Sequence, residues 1–222
     1  MGWKDVIEGK PGDKVLLNGN EATARGAIEA GVCFASSYPG SPTTEIIETL
    51  DRVHSSEIYT EWSVNEIVAL EGAAAASFAG LRAMCVMKSD GLNVAFDFLT
   101  SMNLGGCKGG LVVVVADDPQ GHSSVKEYDA RYLAKAAMVP VLEPSTVEEA
   151  REMTIKAFAL SERIKGPVIL RSVTRISHSR GLVVLGEPLE KNMKAYFPSG
   201  ERIISKRPET GRSSLKMRSI SS

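Results

Sequence analysis

An α/β fold is what this sequence predicts: three layers, α/β/α, built on a mostly parallel six-stranded sheet. Three observations carry that prediction. Short apolar runs alternate with helical segments at regular spacing from residue 32 to residue 171. One run, Leu111-Val112-Val113-Val114-Val115, is continuous and rich in β-branched residues, the pattern of a central parallel strand covered on both faces. Polar turns containing Gly or Pro fall after strands, at 36–45, 61–66, 88–93 and 116–124. In open sheets of this kind, ligands bind outside the carboxyl ends of the strands.

Taken in order, the elements are as follows. A polar leader (1–13) precedes Val15-Leu16-Leu17, and Asn20 is read as the N-cap of a helix over 21–30 that stops at Gly31. Residues 32–35 form the first buried strand. Ser41 as N-cap and Pro42 as first helical residue open a helix to about residue 53. That start leaves backbone N–H groups and hydroxyls free, suited to a carboxylate or phosphate. Strand 58–62 leads into a small-residue helix ending near Gly80, and strand 82–87 leads into a helix over 92–103. After strand 111–115 come a helix over 127–137, strand 139–142, a helix over 146–163 opened by Pro144-Ser145, and strand 168–171.

The segment 61–80 is the one that the rest is organised around. Its Ala and Gly residues remove bulk, so another helix or backbone can approach closely, and Gly72 is tolerated at a cost of about 1 kcal/mol relative to Ala. Glu66 stands at the helix's opening turn, aimed beyond the strand's carboxyl end. An acid against a low-dielectric wall can become a proton donor. Equally, Ser63-Val64-Asn65-Glu66 fits a capping box in which Ser63 caps and Glu66 reaches back. The segment alone leaves both readings open.

Composition narrows the classes. The formal charge of −1 gives no reason to expect nucleic acid or an anionic membrane as partner. No apolar run approaches the ~18–20 residues of a membrane span, and the amino terminus lacks an apolar signal core. Cys33, Cys85 and Cys107 are widely spaced in apolar or Gly-rich surroundings, the pattern of reduced thiols in a cytoplasmic protein. They cannot hold an iron–sulfur cluster through closely spaced ligands. The glycines at 105–110 precede a strand instead of joining strand to helix, so they are no dinucleotide fingerprint. His122 lacks a partner at ligand spacing, and Asp117-Asp118 reads as a loop pair, so no metal site is assigned within the chain. Residues 201–222 carry six basic against two acidic residues, and the whole stretch 188–222 is read as a basic tail, flexible or docked on a partner. The globular domain is placed at 14–187.

Several separated motifs then fall into one pattern: Tyr38-Pro39-Gly40-Ser41-Pro42-Thr43-Thr44-Glu45; Glu61-Trp62-Ser63-Val64-Asn65-Glu66 with the Ala/Gly helix; Met87-Lys88 with Gly91-Leu92-Asn93-Val94; and Ala116-Asp117-Asp118-Pro119 with Ser123-Ser124. Over residues 14–187 they resemble the thiamine diphosphate-dependent 2-oxoacid:ferredoxin oxidoreductases, and among these the pyrimidine-binding domain of indolepyruvate:ferredoxin oxidoreductase alpha subunits. The resemblance implies that Glu66 hydrogen-bonds N1′ of the cofactor's aminopyrimidine and favours its imino tautomer. It implies that Pro39, Gly91 and Asn93 also border the cofactor, and that Ser41, Thr43, Asp117 and Asp118 face the substrate. Glu61 and Glu71 are weaker candidates, the first inside a strand and the second about 140° around the helix from Glu66.

The implied reaction is oxidative decarboxylation of a 2-oxoacid to an acyl-coenzyme A, with electrons passing to ferredoxin. Pyruvate enzymes of this kind carry an arginine in the loop at Asp117-Asp118; its absence argues for a different substrate, and the resemblance implies an aryl pyruvate such as indolepyruvate. The sequence has no Gly-Asp-Gly and no cysteine-rich region. Mg²⁺, the diphosphate half of the site and the iron–sulfur clusters are therefore expected on partner chains of an oligomer. A non-catalytic scaffold, or a truncated fragment keeping the fold, is the alternative; Glu66 favours the catalytic reading.

Overall fold

The computed structural model describes residues 3–53, 57–122, 124–190 and 194–196. The elements run α1 (Trp3–Glu8), β1 (Lys14–Asn18), α2 (Gly19–Glu29), β2 (Phe34–Ser37), α3 (Thr44–Leu50), β3 (Tyr59–Trp62), α4 (Glu66–Phe78) and β4 (Ala83–Lys88). They continue α5 (Ser89–Val94), α6 (Phe96–Gly105), β5 (Leu111–Asp117), α7 (Ala130–Ala136), β6 (Val141–Leu142), α8 (Val147–Ile164), β7 (Val168–Val173), α9 (Thr174–His178) and β8 (Arg180–Val184). Six strands form one sheet in the order β3-β2-β4-β5-β7-β6, every neighbouring pair parallel. The three-layer α/β sheet expected from the alternation is the one observed.

Strand periodicity divides the core in two. Met84, Val86, Val112 and Val114 point to one face, packed with Ile46, Ile47 and Leu50 of α3 and Phe158 of α8. Cys85, Met87, Val113 and Val115 point to the other, against Ala69, Ala73 and Ala74 of α4, Leu92 of α5 and Leu99 of α6. All seven residues of β5 are buried, as the β-branched run requires of a central strand.

The closest helix–helix approach implied by glycine lies elsewhere than expected. Gly72 faces the Phe34 ring, where an added Cβ would sit 3.2 Å from Cζ. On α2, by contrast, a Cβ at Gly26 would fall 2.5 Å from the Arg151 carbonyl oxygen of α8. Backbone-to-backbone packing therefore belongs to α2 and α8, and the small residues of α4 serve to seat it on β2 and β4.

Several boundaries move for identifiable reasons. Asn18, not Asn20, caps α2: its Oδ1 accepts from the Glu21 N–H at 2.8 Å while the Glu21 carboxylate accepts from the Asn18 N–H at 2.8 Å. The helix expected over 92–103 is two helices, parted at Ala95. α7 starts only where Asp129 can cap it. β1 pairs antiparallel with β8 as a separate two-stranded sheet, and β8 lies in a stretch to which the sequence pattern assigned no element.

The segment before residue 14 is integral to this unit. Arg25 donates from Nη1 to the carbonyls of Val6 and Gly9, Val6 is fully buried, and Gly12 donates to the Leu185 carbonyl. The segment after 187 also begins docked: the Leu189 N–H donates to Glu29 O at 2.7 Å and the Tyr196 N–H to Ala79 O at 2.9 Å. The basic stretch 201–222 lies outside the described residues.

Candidate active site

The strand order locates a crevice before any side chain is considered. From β2 the chain moves outward to β3, then α4 carries it back over β2 to β4, and from β4 it continues the other way to β5. The carboxyl ends of β2 and β4 are thus neighbours whose connections leave in opposite directions, the topological switch point where open α/β sheets bind ligands. The turns after these two strands meet there. A Cβ at Gly40 would lie 3.2 Å from Cγ and 3.4 Å from Cδ of Lys88, so the lysine stem runs along the Pro39-Gly40-Ser41 turn.

That turn is anchored from below. Asn20 of α2 donates from Nδ2 to the Pro42 carbonyl at 2.7 Å and to the Glu45 carboxylate at 2.6 Å. The Ser41–Pro42 bond is cis, and Thr43, not Ser41, precedes the helix, making no side-chain cap hydrogen bond. Pro42 is thus part of the turn and not the first helical residue. Tyr38, Pro39 and Ser41 are exposed, whereas Thr43 is fully buried, with its hydroxyl 3.5 Å from the Gly40 carbonyl.

Glu66 is the first residue of α4. Asn65 is the N-cap, its Oδ1 accepting from the Val68 N–H at 2.9 Å, so the proposed Ser63 capping box does not form and the Glu66 side chain is not drawn back onto the helix end. The carboxylate instead lies against α5. A Cβ on Gly91 would fall 2.4 Å from Glu66 Cγ and 2.7 Å from Oε1. Glu66 keeps partial exposure, and Asn93, two residues beyond Gly91, is exposed. Beneath it, burial pushes the Cys85 thiol up to about 12, with Ser36 pulling down and the Glu66 charge adding to the rise. Close by in the chain, Trp62, Val64 and Val68 are exposed apolar residues. Glu61 instead accepts from the Tyr59 hydroxyl at 3.2 Å, and Glu71 is exposed on a different side of α4.

The acid pair after β5 behaves differently from expectation. Asp117 is fully buried and accepts from Arg171 Nε at 2.6 Å and the Ala130 N–H at 3.0 Å. Burial pushes its carboxyl up, against the pull of Ala130 and Arg171. Asp118 accepts from the Ser124 N–H at 2.9 Å and the Thr174 hydroxyl at 2.6 Å. Both carboxylates thus brace the loop after β5 and tie it to β7 and α9, and neither presents an open face to the crevice. His122 is exposed. Asn65 and Lys88 entered the sequence reading only as members of quoted motifs, and Asp90 and Arg171 were given no site role; a Lys ending a strand just before Ser-Asp-Gly is a signal that could have drawn attention to the Lys88–Asp90 pair.

A partly exposed carboxylate beside a glycine whose missing Cβ leaves it room offers a proton-exchanging group to a ligand nitrogen. Residues 25–206 match the pyruvate flavodoxin/ferredoxin oxidoreductase, thiamine diphosphate-binding family. The chain belongs to this family. The match runs past residue 187, where the resemblance read from the sequence ends.

Among curated relatives of this thiamine diphosphate-binding family, the indolepyruvate oxidoreductase subunit IorA of Thermococcus kodakarensis is 54% identical over 184 residues, covering 82% of this chain and 28% of that protein. Its counterpart in Methanothermobacter marburgensis is 45% identical over 213 residues, covering 96% of this chain and 34% of that one. The chain therefore spans about a third or less of these relatives. A solved 2-oxoglutarate:ferredoxin oxidoreductase from Magnetococcus marinus superimposes with a TM-score of 0.72 over 79% of this chain and 32% of its own, at 23% identity, which establishes the shared fold. Among the described residues no helix is long and apolar enough to cross a membrane.

Proposed function

We propose that this chain is the pyrimidine-binding part of a 2-oxoacid:ferredoxin oxidoreductase that acts on an aryl pyruvate such as indolepyruvate. The observation that carries it is the Glu66 carboxylate, set at the first turn of α4 over the switch point and pressed against Gly91. The names of the relatives, indolepyruvate oxidoreductase subunits, support the choice of substrate.

Thiamine diphosphate, when bound, supplies the nucleophilic carbon and the electron sink for decarboxylation. Glu66 holds and returns a proton at N1′ of the aminopyrimidine, a task for which a carboxyl at a partly shielded rim is suited. Pro39, Asn93 and the Gly91 backbone border the ring, with Gly91 giving the room that Glu66 needs. Ser41 offers its exposed hydroxyl to the oxoacid, and buried Thr43 holds the turn that presents it. Asp117 and Asp118 contribute as framework, fixing the loop that walls the crevice on the β5 side.

The remaining parts are assigned to other domains or subunits of an oligomer: Mg²⁺ and the diphosphate contacts, and the iron–sulfur clusters that pass electrons to ferredoxin while coenzyme A takes the acyl group. No group of three or more potential metal ligands occurs among the described residues.

The test is anaerobic isolation of the tagged chain with whatever co-purifies, followed by 2-oxoacid-dependent viologen reduction in the presence of thiamine diphosphate, Mg²⁺ and coenzyme A. Indolepyruvate, phenylpyruvate, pyruvate and 2-oxoglutarate are compared, with Glu66→Gln as control. Reduction driven best by an aryl pyruvate and abolished in the control is the expected result. Activity indifferent to Glu66 would remove the proposal.

A further inference from the structure

We infer that Lys88, assisted by Lys126, is the cationic element that receives the carboxylate of the 2-oxoacid. The inference rests on the reading just given, since it deepens the account of the same crevice.

The placement of Lys88 comes from the strand order. It is the last residue of β4 and precedes α5, so it stands at the switch point itself, opposite the turn that follows β2. Its aliphatic stem is held against Gly40, one residue from the exposed Ser41 hydroxyl. Such a stem costs side-chain entropy to fix, and here the cost is met before any ligand arrives.

Charge gives the second line of argument. Asp90 accepts an ion pair from Lys88 Nζ at 3.1 Å through Oδ2 and from Lys126 Nζ at 3.4 Å through Oδ1. Two ammonium groups thus share the single Asp90 carboxylate. Each ammonium has three donors, so after Asp90 is served the Lys88 head still has donors to give. Asp90 orients the pair without neutralising it. The lysine side chain is 29% exposed.

Two other cations near these strand ends are engaged, while Arg175, at the start of α9, is exposed. Arg171 is buried and committed to Asp117 and Glu143. Arg131 is paired with Asp129 and Glu143. Of the acids at these strand ends, Asp117 and Asp118 are buried and braced, and the Glu66 carboxylate lies against Gly91. A ligand carboxylate arriving beside Ser41 therefore meets the Lys88 ammonium and the Ser41 hydroxyl, a charge-assisted and a neutral donor.

The experiment uses the assembled enzyme carrying Lys88→Met, Lys88→Gln, Lys88→Arg or Lys126→Met. KM for indolepyruvate, KM for coenzyme A and kcat are measured, and phenylacetate, an inert carboxylate, is titrated calorimetrically. Lys88→Met should raise the oxoacid KM and the phenylacetate Kd by about 10-fold or more, leaving kcat and the coenzyme A KM within about twofold. Lys126→Met should raise both by a few-fold, and Lys88→Arg should stay near wild type. Lys88→Gln repeats the test if the Met variant fails to assemble.

An unchanged oxoacid KM and phenylacetate Kd would overturn the inference. So would a fall in kcat alone, which would make Lys88 a positioning residue for Glu66, or a rise in the coenzyme A KM in place of the oxoacid KM. If the wild-type assembly turned over no 2-oxoacid, the functional reading would fall, while loss of phenylacetate binding in Lys88→Met would still support a carboxylate site.

Discussion

Glu66 and Gly91 are matched surfaces: the acid's stem fills the space that any side chain at position 91 would claim, a Cβ there lying 2.4 Å from Cγ and 2.9 Å from Cδ of Glu66. Neither residue can be understood alone. The first turn of α4 aims the carboxylate, and the first turns of α5 leave room for it. Gly91→Ala should therefore displace Glu66 while the sheet stays folded. In the assembled enzyme the expected loss in kcat is about 100-fold, the size that a misplacement of about 1 Å produces. Adding Gly91→Ala to Glu66→Gln should cost no more, because the group being aimed is already disabled. Additive losses would show that Gly91 acts independently of Glu66.

Stability is concentrated at a buried ion cluster on the other side of the sheet. Glu29 is 1% exposed, and its carboxylate accepts from Arg25 Nε at 2.7 Å, Arg151 Nη1 at 2.6 Å and the Gly186 N–H at 2.6 Å. It thereby joins α2, α8 and the segment after β8, while Arg25 reaches α1. Glu29→Ala would take away the carboxylate that Arg25 and Arg151 share, leaving Arg25 only backbone carbonyls and Arg151 only Glu148, at a cost of about 3 kcal/mol. Urea unfolding measures this, and limited proteolysis should show cleavage moving to the segments near residues 9 and 186.

Thiol chemistry gives a direct probe of packing. Burial pushes the Cys85 and Cys107 thiols up to about 12. At pH 8 they should react with a chromogenic disulfide at least about a hundredfold more slowly than free cysteine, because the thiolate is the nucleophile. Denaturant should release both. Fast reaction in the folded protein would mean that the α4 and α6 side of the core opens readily.

Acid sensitivity has an identifiable contributor. The Arg131 side chain, through its hydrogen bonds, holds the Asp129 carboxyl below the usual carboxylate range, with the Arg131 N–H and the Arg171 charge assisting. A carboxyl depressed in the folded state stabilises fully above its unfolded value, about 3.9, and that contribution disappears as pH falls through the folded value. Between about pH 5 and pH 3, the Tm of wild type should therefore fall more steeply than that of Asp129→Asn. Parallel curves would assign the acid sensitivity to other groups.

How much of this was legible in the chain differs from residue to residue. The Leu111–Asp117 strand announced itself through uninterrupted β-branched residues, and α8 through Pro144-Ser145 just ahead of it, with Thr146 as the observed cap. Asn18 and Ser63 show the limit. Capping depends on which oxygen reaches which N–H, and two candidates a few residues apart look alike until the backbone is placed. Asp117-Asp118 read as a loop pair open to a ligand because the partner that buries Asp117, Arg171, lies 54 positions further on.

The sequence by itself determined the alternation of strands and helices, the buried central strand, the acid opening α4 and the rim on which polar turns gather. Those are properties of short windows, governed by side-chain period, capping and backbone propensity. Only the tertiary structure decided which turns share a crevice. Strand order set β2 beside β4, which brought Gly40 onto Lys88 and Glu66 onto Gly91, contacts 48 and 25 positions apart that no local pattern encodes. It also withdrew Asp117 and Asp118 into the framework, because a buried charge must find its partner wherever the fold puts one.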